Sequence, residues 1–159
     1  ARWPTKLWPE AHWARLAAWL AREKGFQVII TGSPADRELA EEIVSQTGAP
    51  LLNLAGRTSL EELAALLQMA RLAVTTDTGP MHLACALGTP VVALFGPTAP
   101  WRTGPFGEGH QVLRLPLPCS PCFRRQCPEP RCLRELPASA AREAVEKILV
   151  RRANPDKIS

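Results

Sequence analysis

The residues best placed to do chemistry are Asp77, Thr78, Gly79, Pro80 and His82, grouped in DTGPMH directly after the β-branched run 72–76. Beyond that turn the apolar positions Met81, Leu83, Ala84 and Leu87 change to helical spacing, which predicts a strand, a tight turn and a helix start. The first N–H groups of a helix lack intrahelical partners and carry partial positive charge, so a diphosphate or sugar oxygen is a natural ligand there. Gly79 lets backbone approach a ligand, Pro80 suits a first helical turn, and Asp77 or Thr78 is expected to cap the helix through a side-chain oxygen. His82 stands one turn in. A plainer reading makes Asp77 only a cap and His82 a partly buried helix residue, and DTGxxH alone does not choose between the two.

The cysteines form a second group. Cys119, Cys122, Cys127 and Cys132 follow the pattern C-x2-C-x4-C-x4-C, while Cys85 lies apart on the helix after the DTG turn and is expected to be a small buried residue. Four thiols so close together, in a chain without secretory features, suit a tetrahedral structural zinc site. The run is tighter than most zinc ribbons, so disulfides and free thiols stay open beside the metal, and the expected role is structural in each case.

These residues need a scaffold to hold them. Helices are expected at 10–24, 35–47, 60–69 and 139–152, and strands at 26–31, 50–54, 72–76, 90–95 and 111–115. Gly88 is placed to end the helix after DTG, and Ser59-x-x-Glu62 is a capping box for the helix at 60. Strands alternating with helices imply a parallel sheet, an α/β Rossmann-like domain with helices on its faces. Strands 72–76 and 90–95 would then deliver DTGP and Gly96-Pro97-Thr98 to one sheet edge, where open α/β sheets bind ligands.

Composition sets outer bounds. The chain has 159 residues, 46% hydrophobic and 21% charged, enough for one ordinary core. No apolar run is long enough to span a bilayer and no signal peptide is apparent, so the expectation is a cytoplasmic protein. Net charge is +4, and Arg124, Arg125, Arg131 and Arg134 surround the cysteines. That charge suits an anionic ligand or peripheral contact with an anionic membrane surface. Without a nucleic-acid motif, a zinc-bearing nucleic-acid module is an alternative and nucleic acid is not an expected partner. Trp3, Trp8, Trp13 and Trp19 crowd the N-terminal segment and are assigned to packing, with Trp8 the candidate exception able to stack on a base.

The full pattern DTGPMHLA followed by VVALFGPTAP resembles the donor-binding half of glycosyltransferase family nine, the ADP-heptose:lipopolysaccharide heptosyltransferases. Other segments agree. Thr5-Lys6-Leu7-Trp8-Pro9 resembles the family's T-K-x-W-P turn, whose lysine faces the donor diphosphate. VIITGSPAD at 28–36 resembles its strand-Gly-turn segment, which by position makes Asp36 the carboxylate that meets the adenosine ribose. LAGRTSL at 54–60, with Thr58 and Ser59, is similar to the wall of the nucleotide pocket. The likeness runs from the first residues to about Leu149.

The resemblance implies the C-terminal half of a glycosyltransferase-B fold. Residues 1–152 would form one nucleotide-sugar-binding domain, with a cysteine-rich segment at 116–134 and a tail at 153–159. The chain opens at Ala1 in what should be a loop, so it is expected to be a piece of a longer protein. Its sheet would lack its first strand, which normally lies well inside, and would be prone to instability or self-association. The acceptor site and general base would lie on a missing N-terminal domain, leaving no catalytic residue and no catalytic metal here. The reaction implied is inverting transfer of heptose from ADP-heptose to the lipopolysaccharide core. Lys6 and the backbone of Thr78 and Gly79 would stabilise the leaving diphosphate, Asp77 would hold sugar hydroxyls, and His82 would support it. Epimerases and transferases of other sugars share the architecture and are the alternatives, with a non-catalytic nucleotide-binding remnant beside them.

Overall fold

The computed structural model describes residues 3–153, and the expected tail lies outside it apart from Ala153. A short 3-10 turn, Pro4–Lys6, leads into α1 (Glu10–Arg22). Then come β1 (Ile29–Ile30), a second 3-10 turn (Pro34–Asp36), α2 (Arg37–Thr47), β2 (Leu52–Asn53) and α3 (Leu60–Met69). The central unit is β3 (Ala73–Thr76), α4 (Gly79–Ala86) and β4 (Val91–Phe95). Short α5 (Pro100–Thr103), β5 (Gln111–Arg114), short α6 (Arg131–Arg134) and α7 (Ala138–Ala153) complete it. Every expected helix and strand is present, and α5 and α6 are additions. Each is only four residues long, too short for hydrophobic periodicity to reveal.

β4 is the centre of the fold. All five of its residues are 0% exposed, as a parallel strand covered on both faces requires. Val92 and Leu94 face a core made with Trp8, Leu16 and Trp19 and with the α7 stripe Ala141, Ala144, Val145 and Ile148. Val91, Ala93 and Phe95 face the other way, onto Met81 and Ala84 of α4. Alternation along a single strand therefore builds two cores, and the molecule is layered as helix, sheet, helix. Burying each of the larger side chains contributes about 1.5–3 kcal/mol. Cys85 packs against the α4 core but is only half-buried, where the sequence suggested full burial, because α4 turns its Met81 and Ala84 face inward. Gly88 follows α4 at φ +73, the left-handed position expected of it.

The strands are parallel, but they form two ladders. β3 pairs with β4 from Ala73↔Val91 to Thr76↔Leu94, and β4 pairs with β5 from Val92↔Gln111 to Phe95↔Arg114. β1 pairs only with β2, through Ile29↔Leu52 and Ile30↔Asn53. Among the described residues β1 and β3 thus each have one bonded neighbour. This also explains why β1 and β2 are shorter than the apolar runs that encode them: with one partner each, little of either run is tied into a ladder. Ile29 and Leu52 are 39% and 43% exposed.

Unpaired parallel edges template association with further strands. Size-exclusion chromatography with light scattering is expected to show a mass that rises with protein concentration. A monomer at every concentration would show these edges to be protected.

Candidate functional site

The ends of β3 and β4 carry the turns that the sequence singles out, and the 3-10 turn Pro4–Lys6 reaches them from elsewhere in the chain. Lys6 Nζ donates to Asp77 Oδ2 at 2.8 Å and to the Asp77 carbonyl at 2.9 Å. Asp77 is 6% exposed and Lys6 17%, so this is a largely desolvated ion pair. An ammonium has three N–H donors, and two are spent on Asp77, which leaves one for a ligand. The fold thus unites two residues 71 positions apart.

Thr103, at the end of α5, completes the arrangement. Its hydroxyl donates to the same Asp77 Oδ2 at 3.3 Å. Both side-chain bonds to the carboxylate end on one oxygen, Oδ2. Sequence reasoning missed Thr103, and no local signal could have found it, because only the chain reversal after β4 brings α5 beside Asp77. Thr98, in the turn after β4, is 4% exposed and its hydroxyl has no hydrogen-bond partner among the described residues.

Neither Asp77 nor Thr78 caps α4 through its side chain, contrary to the sequence expectation. Asp77 is drawn away by Lys6 and Thr103, and the Thr78 hydroxyl turns back to the Thr76 carbonyl at 3.2 Å and to Thr75 Oγ1 at 3.2 Å. No side-chain cap therefore occupies the start of α4. Gly79, Pro80 and His82 are exposed there, with open space where a Gly79 Cβ would point.

The turns after β1 and β2 are also tied together. Asp36 closes a capping box with Ser33: its Oδ2 accepts the Ser33 N–H at 2.9 Å and the Ser33 hydroxyl at 2.6 Å. Burial raises the Asp36 pKa, but hydrogen bonds, those from Ser33 foremost, hold it below the ordinary carboxylate value. Arg37 donates to the Gly56 carbonyl at 2.8 Å, joining this turn to the LAGRTSL segment. Ser59 accepts the Glu62 N–H at 3.2 Å and gives its own N–H to the Glu62 carboxylate at 2.7 Å, the capping box foreseen in the sequence. Its hydroxyl thus already serves α3, while Thr58 beside it is half-buried.

Three expectations change. Trp8 is not available for stacking: it is 1% exposed, its indole N–H donates to the Leu136 carbonyl at 2.8 Å, and Trp13 meets it edge-on. A tryptophan anchoring two segments in the core gains more from burial than from an open edge. Thr5 is 3% exposed and gives its hydroxyl to the Arg124 carbonyl at 2.8 Å, a partner the sequence did not suggest. Cys119, Cys122, Cys127 and Cys132 are free thiols, and among the described residues no three metal-ligating side chains gather into a group that could hold a metal ion. Cys119 is exposed, whereas Cys132 packs inward against Gly96, so the thiols have different surroundings. Burial first, then the neighbouring Cys122 and Cys119, push the Cys132 thiol up.

The chain is similar in sequence and fold to known glycosyltransferases. The model of glycosyltransferase family 9 (heptosyltransferase) matches residues 1–133. Lipopolysaccharide heptosyltransferase 1 of Pseudomonas aeruginosa is 41% identical over 126 residues, which are 79% of this chain and 35% of that protein. Lipopolysaccharide heptosyltransferase 2 of Salmonella typhimurium is 43% identical over 116 residues, 70% of this chain and 33% of that one. The chain thus spans about a third of the length of these relatives. Among solved structures, E. coli heptosyltransferase WaaC with ADP matches at a TM-score of 0.74 and 30% identity, covering 91% of this chain and 41% of that one. The same enzyme with ADP-2-deoxy-2-fluoro heptose matches at 0.69, again at 30% identity, covering 89% and 39%.

Lys6→Ala leaves the Asp77 carboxylate desolvated without its cation and is expected to cost about 2–3 kcal/mol in urea unfolding, part of it regained in Lys6→Ala/Asp77→Asn. An unchanged midpoint would show the pair to be solvated. Thr98→Val removes the unpartnered hydroxyl and is expected to hold or raise the midpoint, whereas a loss of more than about 1 kcal/mol would reveal a partner.

Proposed function

The chain belongs to glycosyltransferase family 9, and on that premise we propose that it is the donor-binding part of a heptosyltransferase whose nucleotide sugar is ADP-heptose. One observation carries this reading: the Lys6–Asp77 pair lies at the start of α4, where Gly79 and Pro80 are exposed and no side-chain cap intervenes. A cation beside the positive end of a helix, where the Gly79 N–H lies, suits a diphosphate, and a carboxylate suits sugar hydroxyls. The structures of WaaC with ADP and with the fluorinated donor support the choice of ligand.

The reaction is an inverting displacement. An acceptor hydroxyl oxygen attacks the anomeric carbon, the bond from that carbon to the diphosphate oxygen breaks, and ADP leaves with the electron pair. Charge grows on the diphosphate in the transition state, so a donor already fixed in place stabilises it without reorganising. Lys6 is such a donor, held by Asp77, with the backbone of Thr78 and Gly79 at the start of α4 beside it. Asp77 and His82 orient the heptose, while Asp36, Thr58 and Ser59 face the nucleoside. The acceptor, the lipopolysaccharide core, and the general base that takes its proton are assigned to the part of the longer relatives that this chain does not match. Work at the cytoplasmic side of a membrane, in peripheral contact with it, fits this acceptor. Among the described residues no helix is long and apolar enough to cross one.

Isothermal titration with ADP, UDP and GDP, repeated with Asp36→Ala, tests the reading. ADP is expected to bind selectively and to weaken about tenfold in the variant, since a charged hydrogen bond contributes about 1.5 kcal/mol or more. Equal binding of the three nucleotides would remove the adenosine assignment.

A further inference from the structure

The segment between β5 and α6 has no part in the reading above, yet it crosses the C-terminal end of β4 like a strap. The Ser120 hydroxyl donates to the Gly96 carbonyl at 2.6 Å, and the Arg114 guanidinium holds the Ser120 carbonyl from the other side. Cys122 and Phe123 both give their N–H groups to the Pro97 carbonyl, at 3.0 and 2.8 Å. Gly96 has no room for a side chain. A Cβ there would lie 2.8 Å from Leu133 Cγ and 3.0 Å from Cys132 Sγ, so α6, into which the strap runs, is packed directly on the backbone that follows β4. The strap is thus registered on β4 at several points.

One residue beyond Phe123, the strap meets the lysine turn. Thr5 Oγ1 donates to the Arg124 carbonyl at 2.8 Å, with the Arg125 carbonyl at 3.4 Å. Among the described residues the backbone of the turn is held internally by Lys6 N–H to the Trp3 carbonyl at 2.9 Å and Leu7 N–H to the Pro4 carbonyl at 3.2 Å, with Lys6 Nζ over the Trp3 ring at 4.7 Å. A lysine side chain has many rotamers, so holding Nζ on Asp77 first requires a fixed backbone. Trp8 anchors one end of the turn in the core, and Thr5 is the side chain that anchors its middle. Its hydroxyl is buried and must keep an acceptor, which makes the tie to the strap obligatory.

We propose that Thr5 is a positioning residue for Lys6, and that the cysteine-rich strap serves to carry the geometry of the β4 end to the lysine turn. Its consequence for ligand binding rests on the reading of Lys6 as a diphosphate contact, whereas the hold on the turn does not. Cys132 and Cys122 serve through packing and through a backbone bond, so the role asks nothing of their thiols as metal ligands.

Two measurements on Thr5→Val, Thr5→Ser, Lys6→Ala and Thr5→Val/Lys6→Ala test this. Without nucleotide, the Lys6 and Leu7 amides are expected to exchange hydrogen about tenfold faster in Thr5→Val, with β4 amides unchanged and Thr5→Ser close to wild type. With ADP, Thr5→Val is expected to raise Kd about fivefold to tenfold, and to add nothing once Lys6 is already alanine. Unchanged exchange in the turn, or a Thr5→Val effect on ADP that persists in full on the Lys6→Ala background, would overturn the proposal. Failure of the wild-type chain to bind ADP would count against the donor reading alone, because the exchange measurement still decides whether the strap holds the turn.

Discussion

Everything in this molecule is arranged around a strand from which water is excluded on both faces. Val91–Phe95 can be fully buried only if helices cover it front and back, so α1 and α7 must lie on one side and α4 on the other. Because β3 and β5 pair with it in parallel, their C-terminal ends come out at the same edge as its own. That edge carries Asp77 after β3 and Gly96-Pro97 after β4. The site is therefore a by-product of how the core is closed, which is why it can be held firmly by turns with little regular structure of their own.

The Lys6–Asp77 pair is costly to assemble and for that reason informative. Removing an ammonium and a carboxylate from water is repaid only when the geometry is good and further hydrogen bonds satisfy the charges. Here the Asp77 carbonyl and the Thr103 hydroxyl supply them. Such a pair contributes little to stability compared with apolar side chains of similar size. Charges fixed in place beforehand lower the entropy that any ligand bound there would lose.

The cysteine-rich segment shows how much a conspicuous pattern leaves open. Spacing alone favours a metal, since closely placed thiols suit tetrahedral coordination. In the folded chain the same residues are divided between an exposed position at Cys119 and a packed one at Cys132, and the backbone between them is occupied with Gly96, Pro97 and Thr5. Its structural role, expected from the outset, thus rests on carbonyls and amides.

Local chemistry made much of this protein legible in its amino-acid sequence. Period-3.6 and β-branched runs marked the helices and strands, Ser59 and Glu62 announced the start of α3, and DTGP marked the turn between β3 and α4. These are signals confined to neighbouring residues, and neighbouring residues produce them. Tertiary structure decided what distance in sequence conceals. Lys6 and Thr103 converge on Asp77, which diverts it from the helix cap that local preference assigns to it. Trp8 is claimed by the Leu136 carbonyl and the core, and Thr5 by the strap. In each case a side chain with a reasonable local partner found a better one across the fold, because burial makes an unsatisfied polar group costly and only the folded chain determines which groups are buried together.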